Sequence, residues 1–214
     1  MDGNRRFAKK NGKPAWSGHK EGFNKLEELV EWVAEAEIKN VIVYAFSTEN
    51  WSRSEKEVSE IMNLLTVGLT KKISELTEKG ARVSFIGNRS HFNKATQRLI
   101  GEAEKNKPKK EKVHLVIALS YGGRDELVRA AQELTRNKKT ITEDSFSKTL
   151  DTKNIPDPDL IIRTGGEMRL SNFLLWQGAY SELFFTKTLW PDFSKKEFLG
   201  ILDEFSKRER RNGK

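Results

Sequence analysis

Between Ile161 and Phe185 the chain reads IIRTGGEMRLSNFLLWQGAYSELFF, which sets two arginines, a Gly-Gly pair, a serine and a carboxylate in an otherwise apolar run. Arg163 follows the strand-like residues Leu160, Ile161 and Ile162. Gly165 and Gly166 permit a tight turn, and Arg169 and Ser171 add donors ahead of further apolar residues. Planar guanidinium forks and backbone N–H groups suit the oxygens of a phosphate. The segment reads as an anion site, against the plainer alternative of a strand-to-helix loop with solvated charges.

Such groups need a scaffold. Apolar runs of strand length alternate with helix-period segments, the clearest strand being the β-branched run Val41 to Phe46. Further strands are expected at Val83 to Ile86, Val113 to Leu119, Leu160 to Ile162 and Leu183 to Phe185. Helices are expected at Phe23 to Glu37, Val58 to Lys79, Phe92 to Lys105, Arg124 to Arg136, Glu143 to Leu150, Phe173 to Gln177 and Lys195 to Arg208. This order predicts an α/β fold with a largely parallel central sheet flanked by helices. In such sheets ligands bind beyond the carboxyl ends of the strands. The polar clusters Ser47 to Arg53, Tyr121 to Arg124 and Arg163 to Ser171 each come directly after a strand.

The helix from Val58 carries Ile61, Met62, Leu64, Leu65, Val67 and Leu69 around most of its circumference. The plainer explanation is core packing on two faces; the sharper one is that one face lines an apolar channel.

At 214 residues, with no Pro/Gly/Ser-rich linker, the chain is expected to form one domain over 1–214. It contains no cysteine, so a disulfide framework and a thiolate metal site are excluded. The 39 Lys and Arg against 31 Asp and Glu give a formal net charge of +8. The densest basic runs, Lys105 to Lys112 and Lys207 to Lys214, lack interleaved aromatics, so no nucleic-acid partner is expected. A solvated surface or peripheral contact with an anionic membrane suits them better. No run has the length of a membrane span, and the first residues, MDGNRRFAKK, are charged rather than apolar; a cytoplasmic protein is expected.

Taken together, MDGNRR with a later GHK (Met1 to Arg6, Gly18 to Lys20), YAFSTENWSRSEKEV (Tyr44 to Val58), SYGGRDEL (Ser120 to Leu127) and the run from Ile161 to Phe193 resemble the cis-prenyltransferases, the family that includes undecaprenyl diphosphate synthase. The similarity continues into RERRNG (Arg208 to Gly213) and so covers essentially the whole chain. Several long motifs in order are far more specific than one Gly-rich loop.

The resemblance implies head-to-tail condensation of isopentenyl diphosphate onto an allylic diphosphate, farnesyl diphosphate first among them. Each new double bond would be cis, and the product a long-chain polyprenyl diphosphate serving as a lipid-carrier precursor. It implies that Asp2 binds Mg²⁺ with the diphosphate, that the backbone of Gly3, Asn4 and Arg5 and the side chain of Arg6 cradle phosphate oxygens, and that His19 donates to phosphate. Arg163, Arg169 and Ser171 fall to the second diphosphate. Glu182 becomes a second carboxylate near the metal, from the same or the neighbouring subunit of a homodimer. Ser47, Asn50, Trp51 and Arg53, with Glu57 opening the helix behind them, belong to a segment that closes over the substrates and excludes water. Asp2 and Asn50 are the expected catalytic residues. For the final proton a diphosphate oxygen, Asp2 and a network through Asn50 and His19 all stay open. The growing hydrocarbon needs an apolar tunnel, worth about 0.8 kcal/mol per buried CH₂. Its expected walls are the helix from Val58 and the strand from Val113, with Ala45 near the mouth.

Three departures from the family pattern stand out. Members carry a β-strand immediately before MDGN, and this chain starts at Met1-Asp2, so that strand is expected to be missing. Ala15-Trp16 occupy the place of a common arginine, with Lys13 as a substitute donor, and Asn88 comes after Gly87 where an acidic residue is usual. The Arg211-Asn212-Gly213 ending resembles an RxG ending that in some members reaches the neighbouring subunit. A catalytically weak or inactive partner subunit is the alternative that a missing strand would favour.

Overall fold

The computed structural model describes residues 1–208. The element order is α1 (Asn4–Lys10), α2 (Ala15–Glu35), β1 (Asn40–Ser47), α3 (Glu55–Val67), α4 (Ile73–Glu78), β2 (Ala81–Ile86), α5 (Lys94–Lys105), β3 (Val113–Tyr121), α6 (Gly123–Arg136), α7 (Glu143–Ser147), β4 (Leu160–Arg163), β5 (Glu182–Phe185) and α8 (Lys195–Ser206). All five expected strands are present and every pairing is parallel. They divide into a three-stranded sheet, order β1-β3-β2, and a two-stranded sheet, β4-β5. The α carbons cluster as two compact units, Val30–Pro156 with the larger sheet, and Met1–Leu29 together with the chain from Asp157 onward, which holds the smaller one.

In the larger-sheet unit β3 is central, and all nine of its residues are buried. This is the near-continuous apolar pattern of a parallel strand covered on both faces. Its carboxyl end is irregular: Tyr44 pairs with Ala118 and Phe46 with Leu119, so Ala45 is an extra residue in β1. Such a bulge turns the strand and re-aims the residues beyond it, here the loop from Ser47.

The expected continuous helix over Val58–Lys79 is corrected. It begins at Glu55, where the Ser54 hydroxyl caps it by accepting from the Glu57 N–H, and widens to π geometry over Gly68–Lys72 before resuming as α4. Burial follows that division. Leu69, Ile73 and Leu76 are in the core, whereas Ile61, Met62, Leu64 and Leu65 are only half-buried and Val67 is exposed. Core packing on two faces therefore does not account for the all-round apolar stretch of α3.

In the smaller-sheet unit, α1 lies against the first turns of α2. A Cβ on Gly18 would stand 2.0 Å from the Asn4 carbonyl oxygen, and one on Gly22 would stand 2.2 Å from Asn4 Oδ1. Only glycine lets the two backbones come this close. The expected helix over Phe173–Gln177 is absent. Ser171, Asn172 and Leu174 all have positive φ, which breaks right-handed helical geometry into successive turns.

Candidate active site

Asp2 is fixed before its carboxylate does anything. Its N–H donates to Thr164 Oγ1 at 3.0 Å, and the Thr164 hydroxyl donates back to the Asp2 carbonyl at 2.9 Å. The Trp190 N–H donates to the same carbonyl, and the Trp190 indole reaches the Gly22 carbonyl on α2 at 2.7 Å. Both Thr164 and Trp190 are buried. The residue beyond the end of β4 and the start of the chain are thereby tied together.

The carboxylate so placed faces two guanidinium groups. Arg163 Nη2 stands 3.0 Å from Asp2 Oδ2 and Arg6 Nη2 stands 3.2 Å from Oδ1. Burial pushes the Asp2 carboxyl up, but the hydrogen bond from Arg163 and the charges of Arg6 and Arg163 outweigh it, so its pKa falls below the ordinary value of 3.8. Asp2 is ionised throughout the neutral range.

Arg163 is the hub. Its other nitrogen, Nη1, donates to Ser171 Oγ at 2.7 Å and to the Arg169 carbonyl. The turn between them depends on Gly165, whose φ is +90° and whose missing Cβ would lie 2.7 Å from Arg6 Nη2. That gap lets Arg6 Nη1 donate to the Gly165 carbonyl at 2.5 Å. Glu167 completes the cluster at 2.6 Å from Arg169 and 3.9 Å from Arg6. Gly3 caps α1, and helix geometry leaves the first-turn N–H groups of Asn4, Arg5 and Arg6 without intrahelical carbonyl partners. His19 comes after Gly18 on α2 and is half-buried. Asp2, the expected metal residue, and the expected diphosphate ligands Arg6, Arg163, Arg169 and Ser171 thus form one connected cluster.

Glu182 does not join it within one chain. It opens β5 opposite Leu160, whereas Asp2 is bonded to Thr164, four residues further on and about 13 Å along the strand at 3.3 Å per residue. Its carboxylate is held instead by Arg208 Nη1 at 2.7 Å, the guanidinium lying 3.9 Å above the Phe184 ring. Among the described residues no group of three or more His, Asp or Glu side chains could hold a metal ion. The Arg211-Asn212-Gly213 ending lies outside the described residues.

The second expected cluster comes after β1, in the larger-sheet unit. Thr48–Ser52 form a 3₁₀ turn in which the Ser47 N–H donates to Asn50 Oδ1 at 3.1 Å. Trp51 packs edge-on to Phe46 and Phe92, with ring centroids 4.9 and 5.5 Å away, and its indole N–H donates to Ser120 Oγ at 2.8 Å. Arg53 pairs with Glu57 at 2.9 Å.

Thr164, Trp190 and Glu167 were not among the residues expected to matter. A threonine between Arg163 and the Gly-Gly pair and a carboxylate directly after it were the available signals for two of them. Trp190 gave none, since the carbonyls it donates to, those of Gly22 and Asp2, are 168 residues away or more.

The chain belongs to the cis-prenyltransferase family: the family model described as "Putative undecaprenyl diphosphate synthase" matches residues 1–213. It is similar to the isoprenyl transferase of Aquifex pyrophilus, 46% identical over 215 residues and covering 100% of this chain and 93% of that one. The Pyrococcus horikoshii tritrans,polycis-undecaprenyl-diphosphate synthase (geranylgeranyl-diphosphate specific) is 45% identical, covering 100% and 84%. Among solved structures, lavandulyl diphosphate synthase from Lavandula x intermedia, in complex with dimethylallyl diphosphate, superposes with a TM-score of 0.93 at 33% identity, covering 100% of this chain and 95% of that one. A "probable undecaprenyl diphosphate synthase" from Campylobacter jejuni gives 0.84 at 36%, covering 91% and 93%. The chain is a prenyl diphosphate synthase of the α/β cis-prenyltransferase type.

Proposed function

We propose that this chain adds isopentenyl diphosphate repeatedly to an allylic diphosphate, forming each new double bond in cis and releasing a long-chain polyprenyl diphosphate. The observation that carries the reading is the cluster of Asp2, Arg6, Arg163, Arg169 and Ser171 around the Gly165-Gly166 turn. Charge-assisted donors converge there on a small volume, and the carboxylates of Asp2 and Glu167 occupy the donors that diphosphate oxygens would take.

The residues present fit Mg²⁺. The ionised Asp2 carboxylate, set among donors for phosphate oxygens, suits an ion that completes its shell with phosphate oxygens and water. Asp2 would hold it, and the ion would neutralise charge on the departing diphosphate. The side chain of Arg6, with the backbone N–H groups of Gly3, Asn4 and Arg5 and the side chain of His19, holds the allylic diphosphate. Arg163, Arg169 and Ser171 hold isopentenyl diphosphate. Ser47, Asn50, Trp51 and Arg53 order the reacting ends and keep water from an allylic cation-like transition state. The half-buried apolar side chains of α3 suit a wall for the growing hydrocarbon.

The reading includes a homodimer in which a second copy supplies Glu182 to the metal; the place of this residue opposite Leu160, away from Asp2 within one chain, supports that arrangement. The product would be made in the cytoplasm, with the exposed lysines of 105–112 toward an anionic membrane surface.

The allylic substrate proposed is farnesyl diphosphate. Because the relatives name geranylgeranyl and dimethylallyl diphosphates, the test uses all three, each with labelled isopentenyl diphosphate and Mg²⁺, with and without EDTA, and reads the chain length of the extracted lipid. Metal-dependent polyprenyl diphosphate from farnesyl diphosphate is the expected result. A well-folded protein that makes no product from any of the three would instead be an inactive partner subunit.

A further inference from the structure

We infer that Ser120 and His91 are positioning residues for the loop after β1, acting through the indole of Trp51. The inference rests on the role proposed for that loop.

Packing alone would not put a serine at position 120. It sits near the end of the most buried strand, with no solvent exposure and φ of +49°, a region in which glycine is far less strained than serine. Strand pairing asks for no hydroxyl there. Yet its Oγ has two close partners: the Trp51 indole N–H at 2.8 Å and His91 Nδ1 at 2.7 Å. A backbone outlier held by its surroundings and committing its polar atom to two side chains is the pattern of a retained positioning element.

The protons can be counted. An indole N–H only donates, so Ser120 Oγ accepts from Trp51. A hydroxyl has one proton and two lone pairs, so it can give its proton to Nδ1 or accept a second bond from Nδ1–H. In either tautomer the serine bridges the two rings. The imidazole and indole planes also meet edge-on, 85° apart with centroids separated by 6.2 Å. His91 itself is exposed, and its turn is pinned to the same residue by the Asn88 N–H, which donates to the Ser120 carbonyl at 3.0 Å.

The hydrogen bonds that bracket Trp51 are local. The Ser47 N–H and the Ser52 hydroxyl each close on a residue three positions away, and Arg53 closes on Glu57, four away. These shape the turn without fixing where it points. Trp51 to Ser120 spans 69 residues and anchors the turn to the sheet. Asn50 lies one residue before that anchor, so a change in the indole's seat moves the side chain expected to meet substrate.

The experiment compares Ser120→Ala, Ser120→Asn, His91→Ala and Trp51→Ala in the full chain. It measures kcat and KM for the allylic and isopentenyl diphosphates, and the Trp51 indole N–H resonance assigned with Trp51→Phe. Ser120→Ala removes the acceptor. It is expected to shift the resonance and to lower kcat/KM by about tenfold or more, the scale of one lost buried hydrogen bond in a reacting geometry. Asparagine tolerates left-handed φ and carries both a donor and an acceptor, so Ser120→Asn should recover most of that loss. His91→Ala, at an exposed position where folding is not at stake, should shift the resonance and cost about threefold, with the serine bridge half removed. Kinetics within twofold of the parent chain in His91→Ala and Ser120→Ala would overturn the inference, as would an Asn variant no better than Ala. Full activity in Trp51→Ala would instead strike at the proposed role of the loop itself.

Discussion

The two units end their parallel strands in opposite ways. In the larger-sheet unit β3 is apolar and wholly buried, and the loop beside its carboxyl end is seated by an indole, a hydroxyl and aromatic edges. In the smaller-sheet unit β4 and β5 are four residues each and mostly half-buried, and the turn beyond them is held by three arginines and two carboxylates. One end is organised by neutral contacts whose worth lies in burial. The other is organised by charges in exchange with solvent, whose partners an incoming diphosphate can replace. The buried core of the first unit, apart from the Trp51 loop seated on it, should therefore answer to mutation mainly in stability, and the charged turn of the second mainly in activity.

The sharpest test of that contrast is Arg163→Ala. It removes a hub that touches Asp2, Ser171 and the Arg169 carbonyl while leaving the core intact. Loss of an electrostatic clamp of this kind is expected to lower kcat/KM by about 10²–10³-fold, with a change in unfolding free energy below about 1 kcal/mol. Steady-state kinetics beside a urea titration checks both. A stability loss as large as the loss of transition-state binding would erase the distinction between the units.

The mirror experiment is Glu126→Ala. This carboxylate is buried in the larger-sheet unit, accepting from the Tyr121 hydroxyl at 2.6 Å and from the Asp151 N–H at 2.9 Å. Asp151 in turn binds Arg129 and the Gly87 N–H, so the network joins β3, α6 and the turn after β2. Its truncation should cost about 2–4 kcal/mol of stability by leaving buried donors unmet. Activity per folded molecule should stay within a few-fold, as measured at a temperature well below the lowered midpoint.

How much of this was legible in the sequence also differs between the units. The strands were readable because β-branched apolar runs follow a local rule, and all five appeared where expected. The anion cluster was readable because arginine, glycine and serine at short spacing carry their chemistry with them. What escaped was set by distant contacts or by departures from a regular period. Helix α1 is charged and buries only Ala8, so no apolar stripe announces it. The turns at 171–174 look helical until three positive φ values are known. The π segment shifts the burial phase of α3 and α4 without any proline to mark it. Thr164 and Ser120 act through partners 162 and 69 residues away. For Glu182, which the family resemblance assigns to the metal from the same or the neighbouring subunit, the parallel register places the residue opposite Leu160, at the other end of the strand pair from Arg163.

The smallest expected effect separates the units by acidity. His114, on β3, is buried, and its Nε2 lies 2.6 Å from Ser84 Oγ and 3.1 Å from Arg82 Nη1. Burial first, and then the Arg82 charge, lowers its pKa from 6.5 to about 4. Between those values the unfolded chain binds a proton that the folded chain refuses, so folding stability must fall as pH drops through this window and level off near pH 4. The loss attributable to His114 should total about 1–3 kcal/mol. Asp2 has the opposite position on the scale: its pKa lies below 3.8, so its contribution is complete above that value and is lost only as pH falls further. Urea unfolding of the parent chain and His114→Gln from pH 7 to 4 tests the division. The variant should lose most of the slope between pH 6.5 and 4, whereas Asp2→Asn should leave it unchanged. A slope that survives His114→Gln would mean that the acid-sensitive group lies outside the buried strand, and that the neutral character assigned to that unit's sheet is wrong.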